Sequence, residues 1–581
     1  MSYNAPIKDM LFTLSHVANL PEIMETERFA ELDMELAEAL LEQSAEFNRD
    51  VIAPLNQVGD TQGIQFESGA VTTAPGWKQG YTQWADGGWN GISAPEQWGG
   101  AGLPLMLGTA TMEMLTSACM AMGLGPVLSQ GAADTLMEHA SPELAAEYLE
   151  KLISGEWTAT MNITEPQAGS DLSGIRTKAE PQDDGSYRIF GQKIFITYGE
   201  HDMTDNIIHL VLARLPDAPE GTRGLSLFLV PKMLSDGLAN DVQCGGVEEK
   251  LGLHGSPTCT MLFGENGGAI GWLVGKENQG LKCMFTMMNR ARLATGLQGV
   301  AIAERAWQQS LDYAQQRKQG TDPATGEKCA IITHPDVQRM LLTMRSLTAA
   351  SRGLAYYAAG MIDQVESGNG DEYGARANLL TPIVKAWCSE IGFEVASIGI
   401  QVHGGYGFVE ETGAAQHLRD IRIASIYEGT NAIQAIDLIN RKVRMTAGEP
   451  VEALLNEWRD DLAHLQACDN ADLSVLSEAY QESLGNLEQA TQWVLVAERA
   501  MPELLSVAND YLQLFGNVAG HAMLIKAAVA ADKLRESDPE YAAKWASLAV
   551  FYTRQIATKN VGYLKTVLQG SGALGMAGLV I

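Results

Sequence analysis

Apolar residues recur every three or four positions through ELDMELAEALLEQSAEFNRDVIAPLN (31–56), the spacing that gathers them on one helix face. Pro54 marks the predicted end of that helix, because proline lacks a backbone donor and crowds the turn before it. A Gly/Trp/Pro-rich loop, GGWNGISAPEQWGGAGLP (87–104), precedes further helical pattern through Ile153. The period then changes. YRIFGQKIFIT, NIIHLVLARL, GLSLFLVP and TCTMLF are short runs rich in Ile, Leu, Val and Phe, bounded by Gly, Pro and Asp, and they predict strands. Helical spacing returns from Met284 to about Thr446. Beyond Glu449-Pro450, residues Val451, Leu454, Leu455, Trp458, Leu462 and Leu465 share one helical face, and the chain finishes in a flexible-looking QGSGALGMAGLVI.

The expected fold is mostly α with a central β domain, with no internal repeat and without the βαβ alternation of a doubly wound sheet. Its predicted parts are an N-terminal helical domain (1–158), a middle β-barrel-like domain (159–275), a helical bundle (276–445) and an additional helical domain (446–581). The one GxGxxG, GSGALG at 570–575, leaves no room for the helix and distant acid of a dinucleotide site.

Composition narrows the function. The balance is globular, at 46% hydrophobic and 19% charged, and the net charge of −31 disfavours nucleic acid and anionic membranes. Any anionic ligand must be held by local cations. Seven scattered cysteines without CxxC fit reduced thiols, and no His/Cys/Asp spacing suggests a metal. The opening MSYNAPIKDMLFTL lacks signal-peptide character, and no uninterrupted apolar stretch approaches a membrane span, so a soluble cytoplasmic protein is expected.

Two segments stand out chemically. MNITEPQAGSDLSGIRTKAE (161–180) is rich in small and hydroxylic residues, as suits either a tight loop or close approach to a flat or phosphorylated ligand. IYEGTN (426–431) places Glu428 beside a Gly-Thr pair, where it reads either as a solvated carboxylate or as a base. Glu410 and Glu411, in the loop GFVEETG, read as solvated.

TEPQAGSD, KIFIT, LGLHGSPT, QVHGGYGF and IYEGT, in that order, resemble the acyl-CoA dehydrogenase family over roughly residues 35–445. The added tail resembles the longer bacterial members. The resemblance implies FAD lying between the β domain and the second helical domain, and α,β-dehydrogenation of an acyl-CoA to its trans-2-enoyl-CoA. It puts Ile163 and Thr164 at the isoalloxazine, Phe195 over the flavin where the family usually has Trp, and Thr197 near N5. Arg317 matches an arginine reaching the FAD pyrophosphate of a neighbouring subunit, and Gln401, Gly404 and Gly405 match the adenylate segment, so a homodimer is implied. Ser170 matches a position near both cofactor and CoA, and Asn289 and Arg292 match CoA contacts. Glu428 matches the α-proton base, Gly429 a residue leaving room for the thioester, and Thr430 a flavin-contacting hydroxyl. Some relatives carry the base on the earlier helix, where this chain has Ala291. His254 reads as a hydrogen-bonded loop histidine.

Electron-transfer flavoprotein is the implied electron acceptor. The alternatives are an acyl-CoA oxidase delivering electrons to oxygen and a non-catalytic flavin- or CoA-binding scaffold. Both 3-methylthiopropionyl-CoA and a medium or long fatty acyl-CoA of β-oxidation remain open as substrate.

Overall fold

The computed structural model describes residues 3–322 and 324–574. Its contacts divide the chain into two units, one formed mainly by residues 43–294 and the other by 5–42 and 295 onward.

The helix predicted to stop at Pro54 continues. A helix over Met34–Phe47 leads into a π-turn at Asn48–Ile52 and directly into the helix Ala53–Gln62, where Pro54 lies in the first turn. Pro54 follows the π-turn without a break in the helix, and the wider π-turn makes room for a ring that cannot donate to the preceding turn. Helices Leu105–Ala118 and Met120–His139 are buried nearly all round. After a hairpin of β1 (Gln65–Glu67) and β2 (Ala70–Thr72) come β3 (Thr158–Asn162), β4 (Lys178–Pro181), β5 (Tyr187–Thr197), β6 (Ile207–Arg214), β7 (Leu225–Pro231), β8 (Val242–Val247), β9 (Thr258–Phe263) and β10 (Ala269–Val274). The sheet runs β10-β7-β6-β4-β5-β9-β8, and β10 also pairs with β5, closing the strands into a barrel. The largely apolar runs of β6 and β7 follow from burial of both faces. Leu210, Leu212, Leu227 and Leu229 enter the cluster shared with the helices, while Val211, Ala213, Phe228 and Val230 fill the barrel interior. β3, β4, β8 and β10 escaped the sequence reading because they are short, polar or glycine-bearing.

Among its described residues the second unit is helical apart from the small hairpin of β11 (Lys318–Thr321) and β12 (Lys328–Ala330). Its long helices are Pro335–Glu366, Ser389–His403, Glu449–Gln466, Ser477–Leu495, Ala508–Asp532 and Pro539–Gln555. The six apolar positions read onto one face of Glu449–Gln466 are all buried. The C-terminal extension is knitted into this unit. Asp9 pairs with Arg345 and Lys544, and fully buried Glu304 pairs with Arg345 and Arg352. Ala508–Asp532 is long and apolar enough to cross a membrane, yet it is mostly buried inside the protein. The finish from residue 575 onward lies outside the described residues.

Candidate active site

In the second unit, Glu428 follows a 3-10 turn, Arg422–Ser425, and precedes a helix, Asn431–Asp437. Glu428 and Gly429 are consecutive left-handed residues, with φ of +57° and +81°. A non-glycine residue in that region is uncommon and costs backbone energy, which the surroundings must offset. Gln434, fully buried, does so by donating to the carbonyls of Glu428 at 3.2 Å and Gly429 at 3.4 Å. Lys385, also fully buried, donates to the Gly429 carbonyl at 2.7 Å. The Glu428 Oε2 atom is shielded from solvent. Beside it, burial and then the Glu428 charge push the Tyr427 phenol far up, and that hydroxyl donates to Gln298. Thr430 caps the following helix, its Oγ1 accepting from the Ile433 N–H at 3.3 Å, so its own proton is free to donate elsewhere.

The same unit holds a cavity of about 510 Å³ lined by Tyr313, Arg317, His403, Gly404, Gly405 and Tyr406. A Cβ on either glycine would meet no other residue within 4 Å, which leaves an open cradle, and the φ of +60° at Gly404 itself favours glycine. The Arg317 guanidinium lies 5.7 Å from the Tyr406 ring centroid. Gln401 is exposed on the last turn of the adjacent helix, outside the cavity lining. A cation beside a glycine cradle and aromatic rings suits a phosphate-bearing ligand with a flat ring. Glu410, in the loop after the cradle, is exposed and ion-paired with Arg419 at 2.6 Å.

In the first unit, the segment 163–165 is fastened to β5. The Ile194 N–H donates to the Thr164 carbonyl at 2.9 Å. Lys193, with no exposure, donates to the Ile163 carbonyl at 3.0 Å and to Glu165 at 2.8 Å. Burial pulls the Lys193 ammonium down to about 8 against the pull of Glu165. Burial alone would raise the Glu165 carboxyl, but Lys193 and Thr177 hold it below its ordinary value. The β5–β9 register shifts between Lys193 and Ile196, and Phe195 sits in that bulge at φ +59° with 58% of its surface exposed. Thr197, two residues on, is half-buried, and Ser170 is exposed.

On the helix Gly280–Gln316, Asn289 is exposed, while Ala291 and Arg292 are buried, with the Arg292 guanidinium 5.7 Å from the Phe285 ring. His254 bonds through Nδ1 to Asp60 and through Nε2 to the Lys250 carbonyl, both at 3.0 Å, tying its loop to the helix Ala53–Gln62. Among the described residues no group of three His, Cys, Asp or Glu side chains is placed to hold a metal ion.

Sequence reasoning passed over Glu165, Lys193, Lys385 and Gln434. A lysine inside an otherwise apolar run, as in IVKAWC and KIFI, is the signal that could have found the two lysines.

Family models for the acyl-CoA dehydrogenase N-terminal, middle and C-terminal domains match residues 34–156, 160–265 and 278–443, and an acetyl-CoA dehydrogenase C-terminal-like model matches 454–576. The chain belongs to the acyl-CoA dehydrogenase family. It is 43% identical to the 3-methylmercaptopropionyl-CoA dehydrogenase of Ruegeria pomeroyi, over 96% of each chain. Its fold resembles that of Caenorhabditis elegans ACDH-11 in complex with C11-CoA, with TM-score 0.78, 21% identity and coverage of 98% and 95%. It also resembles an acyl-CoA dehydrogenase from Bacillus anthracis complexed with FAD, with TM-score 0.75, 20% identity and coverage of 94% and 90%.

Proposed function

We propose that this protein is a FAD-dependent acyl-CoA dehydrogenase in which Glu428 removes the α-proton of a short acyl thioester, with 3-methylthiopropionyl-CoA as the first candidate. The observation that carries this reading is the Glu428–Gly429 turn, a carboxylate held on a left-handed backbone with one oxygen shielded from water. Shielding favours a carboxylate that can take up a proton, because it weakens solvation of the charged form. The substrate choice rests on the 43% identity to the Ruegeria enzyme over nearly the whole of both chains.

Arg317, Gly404 and Gly405 would hold the phosphate-bearing part of FAD, Phe195 would cover its ring, and Thr430 offers a free hydroxyl proton. When bound, FAD supplies the two-electron acceptor for the β-hydrogen. The chain's own part is to hold the carboxylate, move the α-proton onto Glu428 and keep bulk water from it. The same reading assigns electron-transfer flavoprotein as electron acceptor, a homodimer and a cytoplasmic location.

The test is anaerobic flavin bleaching across acyl-CoA lengths, with 3-methylthiopropionyl-CoA included and Glu428→Gln alongside. Fastest bleaching by the methylthio or another short substrate is expected, with Glu428→Gln retaining FAD but slower by on the order of 10³-fold. Preference for long straight chains would sink the substrate assignment. Full activity in Glu428→Gln would sink the base, and rapid peroxide formation in air without activity toward artificial acceptors would favour an oxidase.

A further inference from the structure

Lys385 has no exposed surface, and an ammonium out of water costs several kcal/mol unless it is well bonded. Its bonds run to the catalytic turn. Nζ donates to the Gly429 carbonyl at 2.7 Å and to Asn431 Oδ1 at 2.9 Å, bracketing the residues that follow Glu428. Asn431 is held in turn, its amide donating to Ser389 Oγ at 3.1 Å and Glu390 Oε1 at 2.7 Å. A charge-assisted bond is roughly twice as strong as a neutral one. It fixes the Gly429–Thr430 peptide, while Gln434 holds the Glu428 carbonyl one peptide earlier, so the backbone that carries the Glu428 side chain is held by both groups.

Lys385 stands in a π-turn, Val384–Cys388, that begins just beyond Pro382. Such turns often mark functional sites, because the extra residue re-aims the side chains around it. Trp387 in the same turn is fully buried, and its Nε1 donates to Asn517 Oδ1 at 2.9 Å. Asn517 belongs to the extension helix Ala508–Asp532. That helix is shaped to the indole: a Cβ on Gly516 would lie 2.3 Å from Trp387 Cγ, and one on Gly520 2.6 Å from the far end of the ring.

We propose that Lys385 is a positioning residue for the α-proton base, and that the C-terminal extension keeps it in place by seating Trp387. The extension thereby takes part in catalysis without touching substrate. This inference rests on the acyl-CoA dehydrogenase reading and adds a role for two residues that reading does not use.

The test compares wild-type holoenzyme with Lys385→Met and Trp387→Phe, which keeps a ring in the seat but removes its donor. The readouts are FAD content, thermal midpoint, affinity for the enoyl-CoA product, and the rate of anaerobic flavin bleaching with α-protiated and α-dideuterated acyl-CoA. Lys385→Met is expected to bleach on the order of 10- to 100-fold more slowly per bound flavin, since a small misalignment of a reacting group costs about that much. Product affinity is expected to stay within about twofold of wild type, and the deuterium isotope effect to rise as proton removal becomes limiting. Trp387→Phe is expected to move the same way by a smaller factor, and it decides the matter if Lys385→Met does not fold. Bleaching and isotope effect per bound flavin equal to wild type, whatever happens to the thermal midpoint, would make the contacts merely structural and overturn the inference. Failure of wild type to bleach would refute the enzyme reading itself, and the inference would fall with it.

Discussion

Glycine at 429 answers to the chain before it answers to a substrate. Its φ of +81° lies where a Cβ is penalised by about 1–2 kcal/mol, and that Cβ would stand 2.8 Å from Gln434 Nε2. Gln434 cannot swing away freely, being fully buried and bonded to the carbonyls of both 428 and 429. Gly429→Ala is therefore expected to lower stability by about 1–2 kcal/mol and to slow turnover together, because one displaced side chain loosens the turn that aims Glu428. Urea unfolding and steady-state kinetics on the same preparation check this. Wild-type stability with impaired turnover would show instead that the missing Cβ serves only the thioester.

Among elements, β5 carries the clearest division between what sequence conveys and what it does not. KIFIT read correctly as a strand, because Ile, Phe and Thr suit a pleated, half-buried surface. Strict alternation would put Phe195 on the same face as Lys193, which is buried. The bulge between Lys193 and Ile196 breaks the phase, and Phe195 emerges into solvent. A bulge depends on pairing with β9, some sixty residues away, so no local pattern announces it. The π-turns at Asn48–Ile52 and Val384–Cys388 were hidden for the same kind of reason. Proline at 54 is legible as a helix signal and predicts an end, because the π-turn that accommodates it has no composition of its own. The ordered motifs marked a set of candidate site residues. The buried groups that hold those residues, Lys193 and Lys385 among them, were not legible, since burial is a property of the fold. The exposure of Phe195 has its own consequence. Phe195→Ala should change stability by no more than about 0.5 kcal/mol, as for other exposed sites, yet release FAD measurably on desalting. A large fall in thermal midpoint without loss of flavin would mean that Phe195 is a packing residue.

Across the whole molecule, four histidines are held neutral by the fold. Burial above all pulls His201, His209, His417 and His521 down to about 3. Lys232 adds to the effect at the first two and Arg305 at the third. His201 and His521 use both ring nitrogens in internal hydrogen bonds, the first with Thr158 and the Met203 N–H, the second with Ser483 and Thr553. In the unfolded chain each would titrate at its ordinary 6.5. The unfolded state therefore binds more protons than the native state throughout the interval from about 6.5 down to about 3, and stability is lost as pH falls through it. Between pH 7.5 and 5.5 each histidine should cost about 1 kcal/mol, with two of the four in each structural unit. Asp461 works the other way: burial raises its carboxyl to about 6, so the folded state takes up a proton over the same interval and offsets part of the loss. Urea midpoints at the two pH values are expected to fall accordingly, and to fall by the same amount in high salt, because buried groups escape screening. A midpoint that holds constant to pH 5.5, or a drop that disappears with added salt, would place the acid sensitivity on the surface.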